Sequence, residues 1–288
     1  MYARRLLVLL ALLVAVPLFA GCGAEKLSTA SIAEAAEVTV AERGMRIAID
    51  QTLTVPGAGR MSTTGSGVMD TGGQTSHLTM KVTSAPDVVV GAFDKSDLST
   101  EVITDHAVVY THSTHLSQLV GAGRKWLKID AAKVGEAAGI DVSALTQPGQ
   151  DPTQAVRQLK AVGAKVEKVG REDVRGFETM RYRATVDLRR YPALAPAGDR
   201  AAARAAIERL IEVTGASTIP VDVWIGKDDL VRRMTQKLSL EGAAGPSEIE
   251  QRFEFYDFGT KVDVKVPSAA DVTDVSDLAA SGAATIGS

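Results

Sequence analysis

The stretch ETMRYRATVDL, residues 178–188, decides how the chain is read. Met180, Tyr182, Ala184, Val186 and Leu188 share one parity. Thr179, Arg181, Arg183, Thr185 and Asp187 share the other. Successive side chains of a strand point to opposite faces, so this period of two predicts a strand with one apolar and one wet face. Such strands belong to antiparallel sheets covered on one side only. The period recurs in MRIAIDQTLTV (45–55), SHLTMKVTS (76–84) and PVDVWIG (220–226). Further strands are expected near 87–93, 98–104, 107–112, 124–130, 164–174, 230–240 and 248–258. Turn chemistry at PGAGR (56–60), TGG (71–73), KDD (227–229) and GAAGPS (242–247) separates neighbours.

Helical stretches are few. SIAEAAEVTVAE opens with Ser31 and Glu34 at capping-box spacing. AAKVGEAAG near 131–139 is short. DPTQAVRQLKAVG has Asp151 as its cap and Pro152 in its first turn. The stretch near 199–213 carries Ile207, Leu210 and Ile211 on one side and Gly215 beyond its end. The tail after Pro267 is small and polar, and we read it as loosely docked and ending in disorder.

Ten or eleven strands with one apolar face cannot leave that face in water. The sheet must close on itself, stack on a second sheet or curl around something, so the expected class is α+β, one large antiparallel sheet that, if curved, carries a few helices over its concave face. Three moderate helices do not fill such a face, and an incompletely filled one is a natural site for an apolar ligand. The candidate lining is Ile47, Ile49, Leu78, Met80, Val82, Tyr182, Val186, Val223, Met234 and Leu238. Ordinary core packing is the bland reading for any one of them. Trp126 and Trp224 have the opposite parity, which puts them on the convex side, as rim packing or as contacts with a membrane interface.

Composition narrows the function classes. With 288 residues and 45% hydrophobic content, the chain can bury a core. A formal net charge of −3 gives no footprint for nucleic acid. A single cysteine, Cys22, excludes intramolecular disulfides and thiol redox pairs. That cysteine follows Arg4, Arg5 and the apolar run Leu6–Leu18, which is too short for a membrane span and suits a signal peptide over residues 1–21. Residues 22–30 read as a tether, 31–266 as one domain and 267–288 as the tail. Removal of the signal leaves 30 basic against 35 acidic side chains.

LFAGC (18–22) resembles the bacterial lipobox, with Phe19 where the pattern usually has Leu. Together with GRKWLKI (123–129), VRGFETMRYRATVDL (174–188) and PVDVWIGKDDLVRRM (220–234), it makes the chain resemble the LolA-like fold, and within it the actinobacterial LppX/LprG-type lipoproteins. The resemblance covers roughly residues 30–265. It implies acylation of Cys22, with palmitate among the chains, and a lipid anchor on the extracytoplasmic face of the cell membrane. It further implies a half-barrel of about eleven strands that holds acyl chains and moves lipids or lipoproteins across the envelope. Two acyl chains anchor stably where one does not, each buried CH2 contributing about 0.8 kcal/mol. The expected partners are membrane lipid and an acyl-chain or lipoprotein ligand, and a monomer is expected. The alternative is an envelope sensor or assembly module of the same fold, acting through protein contacts.

Nothing points to an enzyme, and no cofactor is implied. His106, His112 and His115 form the only histidine cluster. On one strand His106 and His112 stand about 20 Å apart, so we read them as polar residues near a hairpin rather than as metal ligands. TGSGV around Ser66 lacks the spacing of a nucleophile elbow, and GAGRK (121–125) is too short for a phosphate loop.

Overall fold

The computed structural model describes residues 29–70, 74–86, 99–114, 117, 121, 123–138, 165–194, 197–198, 200–240 and 245–287. Twelve strands form one sheet: β1 Gly44–Val55, β2 Gly59–Asp70, β3 Thr75–Ser84, β4 Ser99–Asp105, β5 Val108–His112, β6 Trp126–Asp130, β7 Lys165–Val174, β8 Phe177–Asp187, β9 Thr218–Gly226, β10 Val231–Leu240, β11 Ser247–Tyr256 and β12 Val272–Asp274. Their order is β12-β6-β5-β4-β3-β2-β1-β11-β10-β9-β8-β7. β12 runs parallel to β6, and the other pairings are antiparallel. β12 and β7 stand at opposite ends of this order, so the sheet is open, the half-barrel that the resemblance implies, and the class is the expected α+β. Charges on the edge strand β7, among them Glu167, Lys168 and Arg171, discourage edge-to-edge pairing.

Four α-helices accompany the sheet among the described residues: α1 Thr29–Ala41, α2 Ala131–Ala138, α3 Arg200–Thr214 and α4 Ser276–Gly287. Ile32, Ala35, Ala36 and Thr39, on one face of α1, are all at most 2% exposed. The two alanines let the helix lie close on the sheet. The Thr39 hydroxyl donates to the Ala35 carbonyl (2.7 Å) and accepts from the Val231 amide (2.8 Å), tying α1 to the start of β10. α3 packs on a 3-10 turn at Leu188–Leu194 and touches β10, while α2 and α4 pack side by side. The helix expected at 151–163 and the strand expected near 87–93 lie outside the described residues, as do the signal segment and Cys22.

Two strands differ from the sequence reading. β2, GRMSTTGSGVMD, carries little apolar signal, yet it pairs along its whole length with β1. Its glycines serve close approach. A Cβ at Gly67 would lie 2.0 Å from the His77 carbonyl oxygen, and one at Gly65 would lie 2.2 Å from the Met80 sulfur. Glycine in a strand marks such a bend or backbone approach. β12 belongs to the tail expected to be loosely docked. It is instead bonded in: Val275 N–H donates to the Lys128 carbonyl, Asp130 N–H donates to Ser276 Oγ, and Arg124 donates to the Ala269 and Val272 carbonyls, each at 2.9 Å. This small polar segment is held by hydrogen bonds, so hydropathy does not show its docking.

Candidate functional site

The alternation of β1 places Met45, Ile47, Ile49, Gln51, Leu53 and Val55 on the concave face. Met45 and Ile47 are at most 2% exposed and Ile49 is 8% exposed; from Gln51 onward every residue of the strand is half-buried. Cross-strand registry carries the change sideways. Met234, Phe253 and Ile49 face one another across β10, β11 and β1. The row two residues further out is Gln236, Gln251 and Gln51, and the next is Leu238, Ile249 and Leu53. The face therefore has an inner region closed by α1 and an outer region, toward the β1–β2 hairpin, that is only half-covered by described residues.

The structure brings most of the sequence-derived lining together. Ile47, Ile49, Tyr182, Val186, Val223 and Met234 belong to one buried cluster with Ile32, Ala35 and Ala36 of α1. Leu78 and Met80 are half-buried against it, Met80 lying over Gly65. Val82 and Leu238 lie half-buried outside it. The candidate lining did not include Leu53, Ile249, Gln51, Gln236 and Gln251. Leu53 and Ile249 have the same parity as their buried neighbours and could have been found that way. The glutamines carry no apolar signal.

The convex face is charged, and here too there is a hollow, of about 580 Å3. Its floor is Trp224, which is 4% exposed. The Arg181 and Arg233 guanidiniums stand 4.8 and 5.3 Å from the ring, and the indole N–H donates to Glu172 (2.8 Å). Arg183 donates to both oxygens of Asp222 (2.8 and 3.0 Å), which also accepts from Arg181. Burial pushes the Asp222 carboxyl up, but these arginines outweigh it and hold it below the usual carboxylate range. Glu254 follows the same pattern: burial raises it, and Arg233 and Arg175 lower it further. Trp126, also on this face, is 7% exposed and packs at 5.4 Å against His112. Burial of both indoles overturns the expectation of a membrane-interface contact for them.

His106 occupies a left-handed turn position (φ 55°) and bonds Asp105, whereas His112 faces Glu101 on the neighbouring strand, 3.7 Å away. The two imidazoles thus have separate partners, and His115 lies outside the described residues. Among the described residues no helix is long and apolar enough to cross a membrane.

No family model matches the chain. It is similar to an uncharacterised 31.2 kDa protein of Streptomyces griseus, with 34% identity over 169 residues, covering 57% of this chain and 53% of that protein. The chain thus spans about half the length of the curated relative it matches. Among solved structures it is similar to LprF from Mycobacterium bovis, with 13% identity, 84% of this chain and 97% of that one covered, and a TM-score of 0.41. It is also similar to the Mycobacterium tuberculosis lipoprotein LppX, with 8% identity, 82% and 99% covered, and a TM-score of 0.42. A LolA superfamily protein from Nitrosomonas europaea shares 6% identity, with 86% and 98% covered and a TM-score of 0.29.

Proposed function

We propose that the protein is a lipid-anchored, extracytoplasmic binding protein or carrier that holds acyl chains, free or on a lipidated partner, against the outer region of its concave face. One observation carries this reading: the apolar period of β1 continues through Leu53 and Val55, where the strand is only half-buried. An apolar surface kept half-open gains about 25 cal/mol for each Å2 that a ligand covers. An anchor at Cys22 would keep the face beside its source of lipid. Native mass spectrometry of Cys22→Ser protein, expressed in a bacterial envelope and extracted without detergent, tests the reading. The expected spectrum contains an adduct with the mass of a membrane lipid, and an apo mass alone contradicts it.

The convex hollow favours a second reading, a sensor or assembly module that works through protein contacts. Most of its charges already satisfy one another, through Asp222, Glu172, Glu254 and Glu250. A partner would have to break those pairs to use them, so the concave face supports function better.

A further inference from the structure

Between two apolar rows of the concave face lies a row of three glutamines. Gln236, Gln251 and Gln51 are direct cross-strand partners on β10, β11 and β1, and all three are half-buried. The inner row beside them is Met234, Phe253 and Ile49, and the outer row is Leu238, Ile249 and Leu53, each about 7 Å away along the strands. The amides are chained. Gln236 Nε2 donates to Gln251 Oε1, and Gln251 Nε2 donates to Gln51 Oε1 at 3.4 Å. The chain thus has a direction and an open donor end: among the described residues the Gln51 amide N–H groups have no acceptor. Directly opposite Gln51 on β2 is Thr63, whose hydroxyl is likewise unpaired among the described residues.

Half-burying three amides between apolar rows is costly if they serve packing alone, because each leaves a hydrogen-bonding group short of water. Leucines would extend the apolar face without that cost. A hydrocarbon chain has nothing to offer a free N–H, whereas a carbonyl oxygen accepts from it. We propose that this glutamine row is a polar reading station for the ligand, and that Gln51 and Thr63 donate to the carbonyl of an acyl ester or amide whose chain lies on the apolar rows. The ligand class is then an esterified or amidated acyl chain, as in an acylglycerol or a lipidated peptide, rather than bare hydrocarbon. This inference rests on the acyl-binding reading above and deepens it.

The test compares two probes of equal chain length, hexadecane and methyl hexadecanoate, delivered from cyclodextrin to full-length Cys22→Ser protein. Binding is read by displacement of an apolar fluorescent dye. A net hydrogen bond of about 1 kcal/mol predicts roughly fivefold tighter binding of the ester, and two bonds more than tenfold. In the quadruple variant Gln51→Leu, Thr63→Val, Gln236→Leu, Gln251→Leu the ratio should fall to about one, with hexadecane bound at least as well and Tm not lowered. Gln51→Leu alone leaves the Gln236–Gln251 bond and Thr63 in place and should lower the ratio about fivefold, the share of one bond. Equal binding of both probes by the parent protein overturns the inference while leaving the acyl-binding reading intact. So does a preference that survives in both variants, or a loss of both probes alike. Binding of neither probe by the parent protein overturns the acyl-binding reading, and this inference with it.

Discussion

The two halves of β1 share one hydrophobic period and differ in what covers it. Met45, Ile47 and Ile49 lie in the cluster beneath Ile32, Ala35 and Ala36, while Leu53 and Val55 continue the same stripe half-exposed. A stripe closed throughout would be ordinary core. A stripe open throughout would leave the sheet without a core to fold around. Single strands thus hold the fold together at one end and, in the proposed function, offer the other end to a ligand.

The sharpest way to break this comparison is to cut the closed half. Phe255 is 1% exposed and sits opposite Ile47. Phe255→Ala should cost about 3–5 kcal/mol in a denaturant titration. A cost under about 1 kcal/mol would mean that the inner region is not the core. Thr39→Val is the next largest perturbation, because it strands the buried Val231 amide. It should cost about 1–3 kcal/mol, read in the same titration, with exchange protection lost first in α1.

Cuts in the open half should behave oppositely. Leu238→Ala and Leu53→Ala remove half-exposed side chains and should each change stability by under about 1 kcal/mol. They should nevertheless weaken retention of an acyl probe. A large stability loss with unchanged retention would reverse the assignment of the two halves.

The smallest effect belongs to the tail, which touches neither half. Hydrogen bonds from the Ser276 hydroxyl and amide, reinforced by Lys128, hold the Asp274 carboxyl down at about 2. A carboxyl depressed in the folded state stabilises it above its unfolded value of about 4, and that contribution disappears as pH falls toward 2. Amide NMR signals of residues 272–287 should therefore lose dispersion between pH 4 and 2 before those of β1 and β11. Asp274→Asn should weaken tail docking at neutral pH and abolish the transition.

Where side chains alternate, the fold was legible from sequence. β1, β3, β8 and β9 follow from their period, and α1 from its small apolar stripe, although the helix begins at Thr29, two residues before the expected cap at Ser31. β2 was not legible, because it pairs through backbone and its glycines exist to admit Met80 and the His77 carbonyl. The tail strand was hidden for a related reason, its docking being made by Lys128, Arg124 and Ser276 rather than by buried hydrocarbon. Of the site, parity supplied the apolar rows. Whether a row is closed by α1 or left half-open depends on where that helix ends over the sheet, which period alone does not encode. The glutamine row was equally invisible, since its three members lie far apart in sequence and meet only through register.

The most direct measurement is photocrosslinking with a diazirine-bearing fatty acid, followed by peptide mapping of the Cys22→Ser protein. Labels are predicted on the outer concave residues Leu53, Val82, Leu238 and Ile249, and not on exposed apolar residues elsewhere such as Phe177 and Leu278. Labelling that spreads over those exposed residues, or gathers around Trp224 on the convex face, would contradict the account.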